Sequence, residues 1–223
     1  MEGRPSGDWL EIKREIKRGA EAVIYEGNIK GFRVVVKKRV SKPYRHPELD
    51  KRINEERTKS EARLMYQALK AGVNVPGIFL VLPHEYTIIM EYVEGTLVKD
   101  LEKLDRELGI KIGEIAGKLH ATGIAHGDLT TGNMILTPTG ELFLIDFGLA
   151  KRTDDMEDHA TDVHVFMRSL ESVHPHFKEI VMEGFVEGYS RYVKDYEEVL
   201  RKVKEIRMRG RYVEERRAKS SNV

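Results

Sequence analysis

Two aspartate-containing motifs on either side of a predicted β-hairpin constrain the fold of this chain more than any other feature. The first, the HGD motif, is residues 126–133 (HGDLTTGN), and the second, the DFG motif, is residues 144–148 (LIDFG). Between them, short apolar runs flank the turn at residues 138–140, which predicts a hairpin. An aspartate at the end of an apolar strand can bind magnesium ions that bridge phosphate oxygens. Together the motifs predict a cleft for a magnesium-bound phosphate group.

The spacing within the HGD motif follows the H-x-D-L-x-x-x-N pattern of kinase catalytic loops. Asp128, in an extended loop, is expected to accept the proton of an attacking hydroxyl, and Asn133 to bind Mg²⁺ from the other side of the γ-phosphate. Asp146 of the DFG motif is expected to be the second Mg²⁺ ligand. Each motif alone could be an ordinary turn, because Asp-Gly turns are common, but both in this order favour a site for ATP and Mg²⁺.

A lysine and a glutamate in the first part of the chain fit the same site. Residues 34–37 (VVVK) end a strand pattern with Lys37, as V-A-I-K does in kinases, and Glu61 lies in the helical pattern that follows. A pair between them would hold the ammonium against the α- and β-phosphates, which makes both candidate catalytic residues. The alternative is that Lys37 is a solvated residue at a strand end and Glu61 a residue on a helix surface. Lys38, the next residue, could also be the lysine of the site, which leaves the strand register open by one position. We expect Lys37, as a continuation of the valine alternation.

Residues 90–93 (MEYV) lie where the connector between the two lobes of a kinase would run. There the backbone carbonyl of Glu91 and the backbone N–H of Val93 are expected to pair with adenine. This expectation follows from position alone, because backbone groups leave no trace in a sequence.

The segment that would cover the phosphates, residues 17–25, is the weakest match. It aligns with G-x-G-x-x-G-x-V, but Gly19 alone remains of the three glycines, Ala22 replaces the third and Ile24 replaces the valine. We expect these three residues to line the nucleotide site, with a looser approach of the backbone to the phosphates than glycines would permit.

The order of the secondary-structure patterns predicts an α+β, bilobal protein-kinase-like fold. Residues 1–94 are expected to form a β-rich lobe with one helix, and residues 95–206 a helical lobe that carries both motifs. The remaining residues, 207–223, are expected to form a basic C-terminal tail.

Helices are expected over residues 51–71, 97–122 and 160–206 from the spacing of their apolar residues. The stretch at 41–50 contains two prolines and is not expected to form a regular helix.

Departures from ordinary protein kinases predict a reduced second lobe without a long activation segment. Gly127 replaces the arginine of H-R-D, which normally pairs with a phosphorylated activation loop. No A-P-E follows Gly148, and Asp162 begins the next apolar helical pattern only sixteen positions after Asp146. A segment that docks a peptide substrate therefore has no room. Asp162 itself either braces the HGD motif or is a helix N-terminal aspartate favoured by the helix dipole.

Charge and cysteine content limit the ligands and the cellular compartment that we expect for this chain. Lys and Arg number 38 against 37 Asp and Glu, so the whole chain has no field that attracts nucleic acid, although residues 201–219 are strongly basic. The absence of cysteine excludes disulfides and thiolate metal sites and favours a reducing compartment. The longest apolar runs are too short to cross a bilayer, and residues 1–8 lack an apolar signal-peptide core. We therefore expect a cytoplasmic location without membrane contact.

A polar stretch after the predicted lysine strand carries a family resemblance. Residues 42–50 (KPYRHPELD), with 37–39 (KKR), 56–58 (ERT) and 61–63 (EAR), resemble the small atypical serine kinase/ATPase of the KEOPS (EKC) complex. This is the p53-related protein kinase family, and the chain is similar to its archaeal members over essentially its whole length.

The resemblance implies a Mg-ATP-dependent subunit that supports threonylcarbamoyl transfer to adenosine in tRNA, with serine autophosphorylation in isolation. Its implied partners are the threonylcarbamoyl-transferase subunit and other KEOPS subunits. Residues 207–217 resemble the family's basic tail, which implies a contact with tRNA, and a basic segment with one aromatic suits phosphate backbones. The alternative is a solvated charged helix end, and Glu214 and Glu215 weaken the basic character.

Three other classes of protein remain open. RIO-type kinases also have a short second lobe, but they usually lack the DFG motif that is intact here; a RIO-like or other atypical kinase acting on a protein is the main alternative. Aminoglycoside-type phosphotransferases share H-G-D-x-x-x-x-N but lack the stretch at 42–50. A pseudokinase, which binds without chemistry, would not need all five polar site residues, namely Lys37, Glu61, Asp128, Asn133 and Asp146.

Overall fold

A five-stranded antiparallel sheet with one helix forms the first part of the molecule. The structure, a computed structural model, describes residues 9–220, with side chains through Arg209. The strands are β1 (Glu11–Arg18), β2 (Ala22–Ile29), β3 (Phe32–Arg39), β4 (Ile78–Leu82) and β5 (Thr87–Glu91). Their spatial order is β1-β2-β3-β5-β4, which places β3, the strand that carries Lys37, at the centre of the sheet.

Helix α1 (Pro47–Lys70) connects β3 to β4, and its start corrects the expectation for residues 41–50. Pro47 occupies the first turn, where a missing N–H costs no intrahelical hydrogen bond, and Glu48 and Asp50 lie at the positive end of the helix dipole. The proline therefore begins this helix. Gly72, with φ at 79°, follows its last turn in the left-handed conformation that ends many helices.

The second part is mostly helical, and short strands flank its polar loops. Within residues 9–220, no helix is both long and apolar enough to cross a membrane. The helices are α2 (Arg106–Ala121), α3 (Met156–Val173), α4 (Lys178–Ser190) and α5 (Tyr196–Ser220). The short strands are β6 (Thr96–Leu97), β7 (Ile124–Ala125), β8 (Met134–Leu136), β9 (Leu142–Leu144) and β10 (Lys151–Arg152). Strands β8 and β9 pair as the predicted hairpin between the two motifs.

Local capping sets helix boundaries that the apolar patterns placed differently. Asp105 accepts a hydrogen bond from the backbone N–H of Leu108 at 2.8 Å, so α2 begins after this residue and not at residue 97. Asp155 accepts one from Glu157 at 2.8 Å, so α3 begins before Asp162 and not at it. The predicted helical stretch at 160–206 is divided among three helices.

Glycines bring helices α2 and α4 into close contact at the centre of the second part. A Cβ atom on Gly184 would lie 2.1 Å from the carbonyl oxygen of Arg106, and one on Gly113 would lie 2.1 Å from that of Phe185. A side chain at either position would collide with the facing backbone. Phe185 and Tyr189, both fully buried, stack beside this contact with 5.4 Å between ring centroids. This helix pair forms the centre of the hydrophobic core of the second part, and the polar loops pack against that core.

We expect Gly184→Ala to destabilise the protein, although glycine-to-alanine changes inside helices usually stabilise by about 0.5–1 kcal/mol. The new methyl group must displace the α2 backbone, and overpacking of this kind costs about 1–3 kcal/mol. Urea unfolding measures the free energy of unfolding, and Glu183→Ala, at an exposed position of the same helix, is the matched control. A Gly184→Ala protein as stable as the control would contradict the close contact.

Candidate active site

The side chain of Lys37 joins the sheet, helix α1 and the DFG motif at one point. Its Nζ donates to Glu61 Oε1 at 2.5 Å and to Asp146 Oδ1 at 2.6 Å. The side chains of Lys37 and Glu61 are 8% and 2% exposed, whereas that of Asp146 is 48% exposed. Three of the predicted residues are therefore in direct contact, and Asp146 is the one open to the cleft.

The strand register assigns this position to Lys37, but the valine alternation was the wrong reason for it. Val34 and Val36 pack with Ile89 in a small core on the far side of the sheet. Lys37 lies on the opposite face, with Val35, towards the cleft. Lys38 falls on the far face again, because neighbouring strand residues point to opposite sides.

The charges of Lys37 and Asp146 stabilise each other. Burial lowers the pKa of Lys37, but the carboxylates of Glu61 and Asp146 outweigh it, and the pKa lies above its ordinary value. Burial raises the pKa of Asp146, but the ammonium of Lys37 and the backbone N–H of Gly148, at 3.2 Å, outweigh it, and the pKa lies below its ordinary value. At neutral pH the site therefore holds a fixed cation beside a fixed anion.

Asp146 has a left-handed backbone conformation, which is uncommon for residues other than glycine and is adopted by aspartate more often than by most of them. Its φ is 64°, in the left-handed region that costs a residue with a Cβ atom about 1–3 kcal/mol. This conformation occurs where β9 ends and places the carboxylate at the ammonium of Lys37.

Asp128 and Asn133 face each other within the HGD motif. The side-chain Nδ2 of Asn133 donates to Asp128 Oδ2 at 2.8 Å and to the backbone carbonyl of Asp128 at 2.9 Å. These donations leave the amide oxygen as the atom of Asn133 that suits a cation, and Mg²⁺ prefers oxygen ligands. The same hydrogen bonds close the loop between the two residues.

Asp162 braces the HGD motif, which decides between the two roles predicted for it. Its Oδ2 accepts from the backbone N–H of His126 at 2.5 Å, and its Oδ1 accepts from that of Gly127 at 2.8 Å. Asp162 is 1% exposed and lies inside α3, beyond the first turn. Two residues that the sequence did not indicate extend the brace: His120 contacts Asp162 Oδ2 at 3.2 Å and the hydroxyl of Tyr189 at 2.7 Å.

His126 connects the HGD motif to the DFG motif. Its Nε2 lies 3.2 Å from the carbonyl oxygen of Ile145, and its ring meets Phe147 edge-on with 4.9 Å between centroids. Burial lowers the pKa of His126, so the imidazole is neutral at neutral pH.

The structure supplies a physical reason for glycine at position 127. Gly127 has φ at 80°, and a Cβ atom there would lie 2.4 Å from the carbonyl oxygen of Leu149. The arginine of H-R-D therefore cannot occupy this position without moving the chain after the DFG motif.

Two adjoining cavities between the sheet and the helical part contain the predicted site. One, of about 320 Å³, and the other, of about 240 Å³, share Lys17, Ile24, Lys37 and Asp146 in their walls. All predicted site residues line one or both. The larger cavity adds Glu61, Glu91, Val93 and Asn133, and the smaller adds Gly19, Ala22 and Asp128.

Ion pairs that sequence reasoning missed hold the segment over the smaller cavity. Glu21, at the tip between β1 and β2, accepts from Arg57 of α1 at 2.8 Å. Lys42 donates to the backbone carbonyl of Ala20 and lies 3.6 Å from Glu21. These contacts connect the tip between β1 and β2 to α1 and to the chain before it, in a segment that lacks two of the three glycines of the ordinary loop. The stretch at 42–50 identified the family, but it gave no sign of this role.

The fold and the motifs together define an atypical kinase-like protein. Residues 28–200 match the family model of the ABC1 atypical kinase-like domain. The Rio2 kinase of Chaetomium thermophilum, solved as an ADP/Mg²⁺–phosphoaspartate complex, has the same fold, with a TM-score of 0.65. The two chains are 15% identical in sequence, and the match covers 91% of this chain and 72% of the Rio2 chain. The expected α+β, bilobal kinase-like fold with a reduced helical lobe is confirmed.

The chain belongs to the family of the KEOPS complex subunit Bud32, as the resemblance indicated. The Bud32 subunit of Pyrococcus abyssi is 43% identical over 212 residues, which cover 89% of this chain and 96% of that relative. A probable bifunctional tRNA threonylcarbamoyladenosine biosynthesis protein of Methanosarcina mazei is 46% identical over 93% of this chain. The chain spans 36% of the length of that bifunctional relative.

The opposite orientations of two neighbouring lysines give a matched pair of variants. We expect Lys37→Ala to abolish ATP turnover, because the cavity loses its buried ammonium, and Lys38→Ala to have a mild effect, because its side chain lies on the other face. Turnover and nucleotide affinity are measured for both proteins, with thermal unfolding as the check on folding. The reverse ranking would show that the strand register is wrong by one residue.

Proposed function

We propose that this chain is a Mg-ATP-dependent kinase/ATPase subunit of a KEOPS-type complex that supports threonylcarbamoyladenosine modification of tRNA. The observation that carries the proposal is the ammonium of Lys37, held by Glu61 and Asp146 where the two cavities meet. Membership of the complex is proposed from the relative in Pyrococcus abyssi, a KEOPS complex subunit. The role in tRNA modification is proposed from the relative in Methanosarcina mazei, a probable bifunctional tRNA threonylcarbamoyladenosine biosynthesis protein.

In this proposal the larger cavity takes the nucleoside and the smaller takes the phosphates. The backbone of Glu91 and Val93 pairs with adenine, and Gly19, Ala22 and Ile24 cover the nucleotide. Lys37 holds the α- and β-phosphates, and Glu61 fixes the position of its ammonium.

The donor set of the cleft fits Mg²⁺. The carboxylate of Asp146 and the amide oxygen of Asn133 are oxygen ligands, and Mg²⁺ is usually bound by one or two protein groups together with phosphates. When bound, the ion would neutralise charge that develops on the transferred phosphoryl group. Asp146 would hold the ion in place of the ammonium of Lys37, and its half-exposed side chain leaves room for this.

Asp128 is assigned the role of catalytic base. Its carboxylate lines the phosphate cavity and is oriented by Asn133 Nδ2. There it accepts the proton of a water molecule, for hydrolysis, or of a serine hydroxyl, for autophosphorylation, a role worth roughly 10²–10⁴-fold in rate. The short chain between Gly148 and α3, which begins at Met156, favours hydrolysis over transfer to a docked peptide.

The basic tail is proposed to contact tRNA through its later residues. Arg207 pairs with Glu171 at 2.9 Å and Arg209 with Glu157 at 2.8 Å, so both bind α3. The contact with phosphates is therefore assigned to Arg211, Arg216 and Arg217, whose side chains lie outside the described residues.

The test is ATP turnover by the complex with its transferase partner, with and without tRNA. We expect tRNA to stimulate turnover, and the stimulation to fall steeply with salt, because neutralised phosphates release counterions. Replacing Arg211, Arg216 and Arg217 by alanine should reduce the stimulation but leave basal turnover unchanged. Glu214→Gln with Glu215→Gln is the control in the same segment, and Asp128→Ala is expected to lose turnover with and without tRNA.

Two outcomes would contradict the proposal. One is turnover in the intact complex that does not respond to tRNA, together with efficient phosphorylation of an unrelated peptide, which would favour a RIO-like protein kinase. The other is near-normal turnover by Asp128→Ala, which would remove Asp128 from the chemistry.

A further inference from the structure

The carboxylate of Glu61 has two cationic partners. Its Oε1 accepts from Lys37, and its Oε2 accepts from the Nη2 of Arg39. The side chains of Glu61 and Arg39 are 2% and 4% exposed, so this second pair is as buried as the first. In kinases the glutamate of this helix pairs with the lysine of the strand, and the buried arginine on the other oxygen of Glu61 is a contact beyond that pair.

The strand geometry fixes Arg39 beside Lys37. Two residues apart on β3, their side chains share the face towards the cleft. The backbone N–H of Arg39 donates to the carbonyl of Tyr86 at 2.9 Å, and Arg39 pairs with Ala22 of β2. A guanidinium is always charged and more weakly hydrated than an ammonium, so it suits a buried ion pair. Glu61 thus has a counter-ion that does not depend on Lys37.

Lys37 divides its N–H donors between two carboxylates, so Glu61 does not have the whole ammonium as its counter-ion. An ammonium has three N–H donors, and two of them bind Glu61 and Asp146. When the ammonium also binds phosphates, its attraction to Glu61 is shared with them, and without Arg39 this buried carboxylate would have no other cation, which is unfavourable. With Arg39 present, one oxygen of Glu61 stays paired whatever Lys37 does.

The backbone of the DFG motif packs over both cations. A Cβ atom on Gly148 would lie 3.0 Å from Asp146 Oδ1, 3.4 Å from Lys37 Nζ and 3.6 Å from Arg39 Nη2. The guanidinium therefore lies at the wall of the phosphate cavity, beside the groups that the nucleotide must rearrange.

We propose that Arg39 is a positioning residue: it holds Glu61 and helix α1 in place independently of Lys37, so that the Lys37 ammonium, while it stays beside Glu61, can exchange Asp146 for the nucleotide phosphates. This inference rests on the proposed use of ATP for its kinetic consequence. Its structural consequence, the hold on α1, is independent of any nucleotide.

The kinetic test compares Arg39→Gln, Arg39→Lys and wild type in ATP turnover. In Arg39→Gln, Glu61 retains Lys37 as its one cation, so the phosphates of ATP compete with a buried carboxylate for the same ammonium. We expect the KM for ATP to rise about tenfold, the loss of roughly one hydrogen bond to a charged group, with kcat reduced by less than about threefold. Arg39→Lys should have a KM for ATP close to the wild-type value, because a cation still pairs with Glu61. Lys38→Gln, on the other face of β3, should leave the KM unchanged.

Hydrogen exchange of the α1 amides without nucleotide tests the same inference in the absence of activity. We expect Lys37→Ala to keep wild-type protection of α1, because Arg39 still pairs with Glu61. The double variant Lys37→Ala/Arg39→Gln should lose that protection. In a Glu61→Gln background, adding Arg39→Gln should change neither the KM nor the exchange further, because Arg39 acts through Glu61.

Loss of α1 protection in Lys37→Ala alone would overturn the inference, as would an unchanged KM in Arg39→Gln. An Arg39→Gln effect of the same size in the Glu61→Gln background would also overturn it, because Arg39 would then act elsewhere. Wild-type protein that binds no ATP would refute the proposed function, and the exchange result would still decide the role of Arg39.

Discussion

The ammonium of Lys37 lies between two carboxylates from distant parts of the chain, Glu61 on helix α1 and Asp146 after strand β9, at 2.5 and 2.6 Å. Buried ion pairs of this kind add little net stability, because desolvation offsets their attraction, yet removing one partner costs about 3–5 kcal/mol. The network therefore fixes an arrangement more than it stabilises the fold. Sheet, helix and DFG motif must meet at one point for these charges to be paired, and that point lies between the two cavities.

On the other side of the cleft, Asp162 of helix α3 holds the backbone of the HGD motif. Its carboxylate accepts hydrogen bonds from two backbone N–H groups of the motif. His120 and Tyr189 connect this carboxylate to the glycine-rich contact between α2 and α4. Gly127 allows the chain after the DFG motif to pass close by. The orientation of Asp128 is thus built into the helical core, and the site is assembled without a phosphorylated loop.

Sequence patterns predicted the parts of this molecule that local residues determine. The DFG strand, the hairpin and most of α1 follow from apolar spacing and turn residues, and the two motifs brought Asp128, Asn133 and Asp146 to one cleft. Helix starts at Asp105 and Asp155 depended on single capping hydrogen bonds, which apolar spacing does not reveal. Contacts between distant residues, such as Arg39 with Glu61, leave no local pattern, because their partners are brought together by the tertiary fold. The alternation argument for Lys37 failed because the alternation of Val34 and Val36 continues to Lys38, on the face away from the cleft.

We propose that this cleft binds a nucleotide together with Mg²⁺, and that Asp146 would then hold the metal in place of its contact with Lys37. The direct test is nucleotide binding to Asp146→Asn, titrated with Mg·ATP and with ATP in excess chelator. Because the substitution removes a metal ligand and also releases Lys37, Mg·ATP affinity should fall at least about tenfold, while metal-free affinity stays unchanged or rises. Equal losses of affinity for both forms would contradict metal ligation by Asp146 and, with it, this account of the cleft.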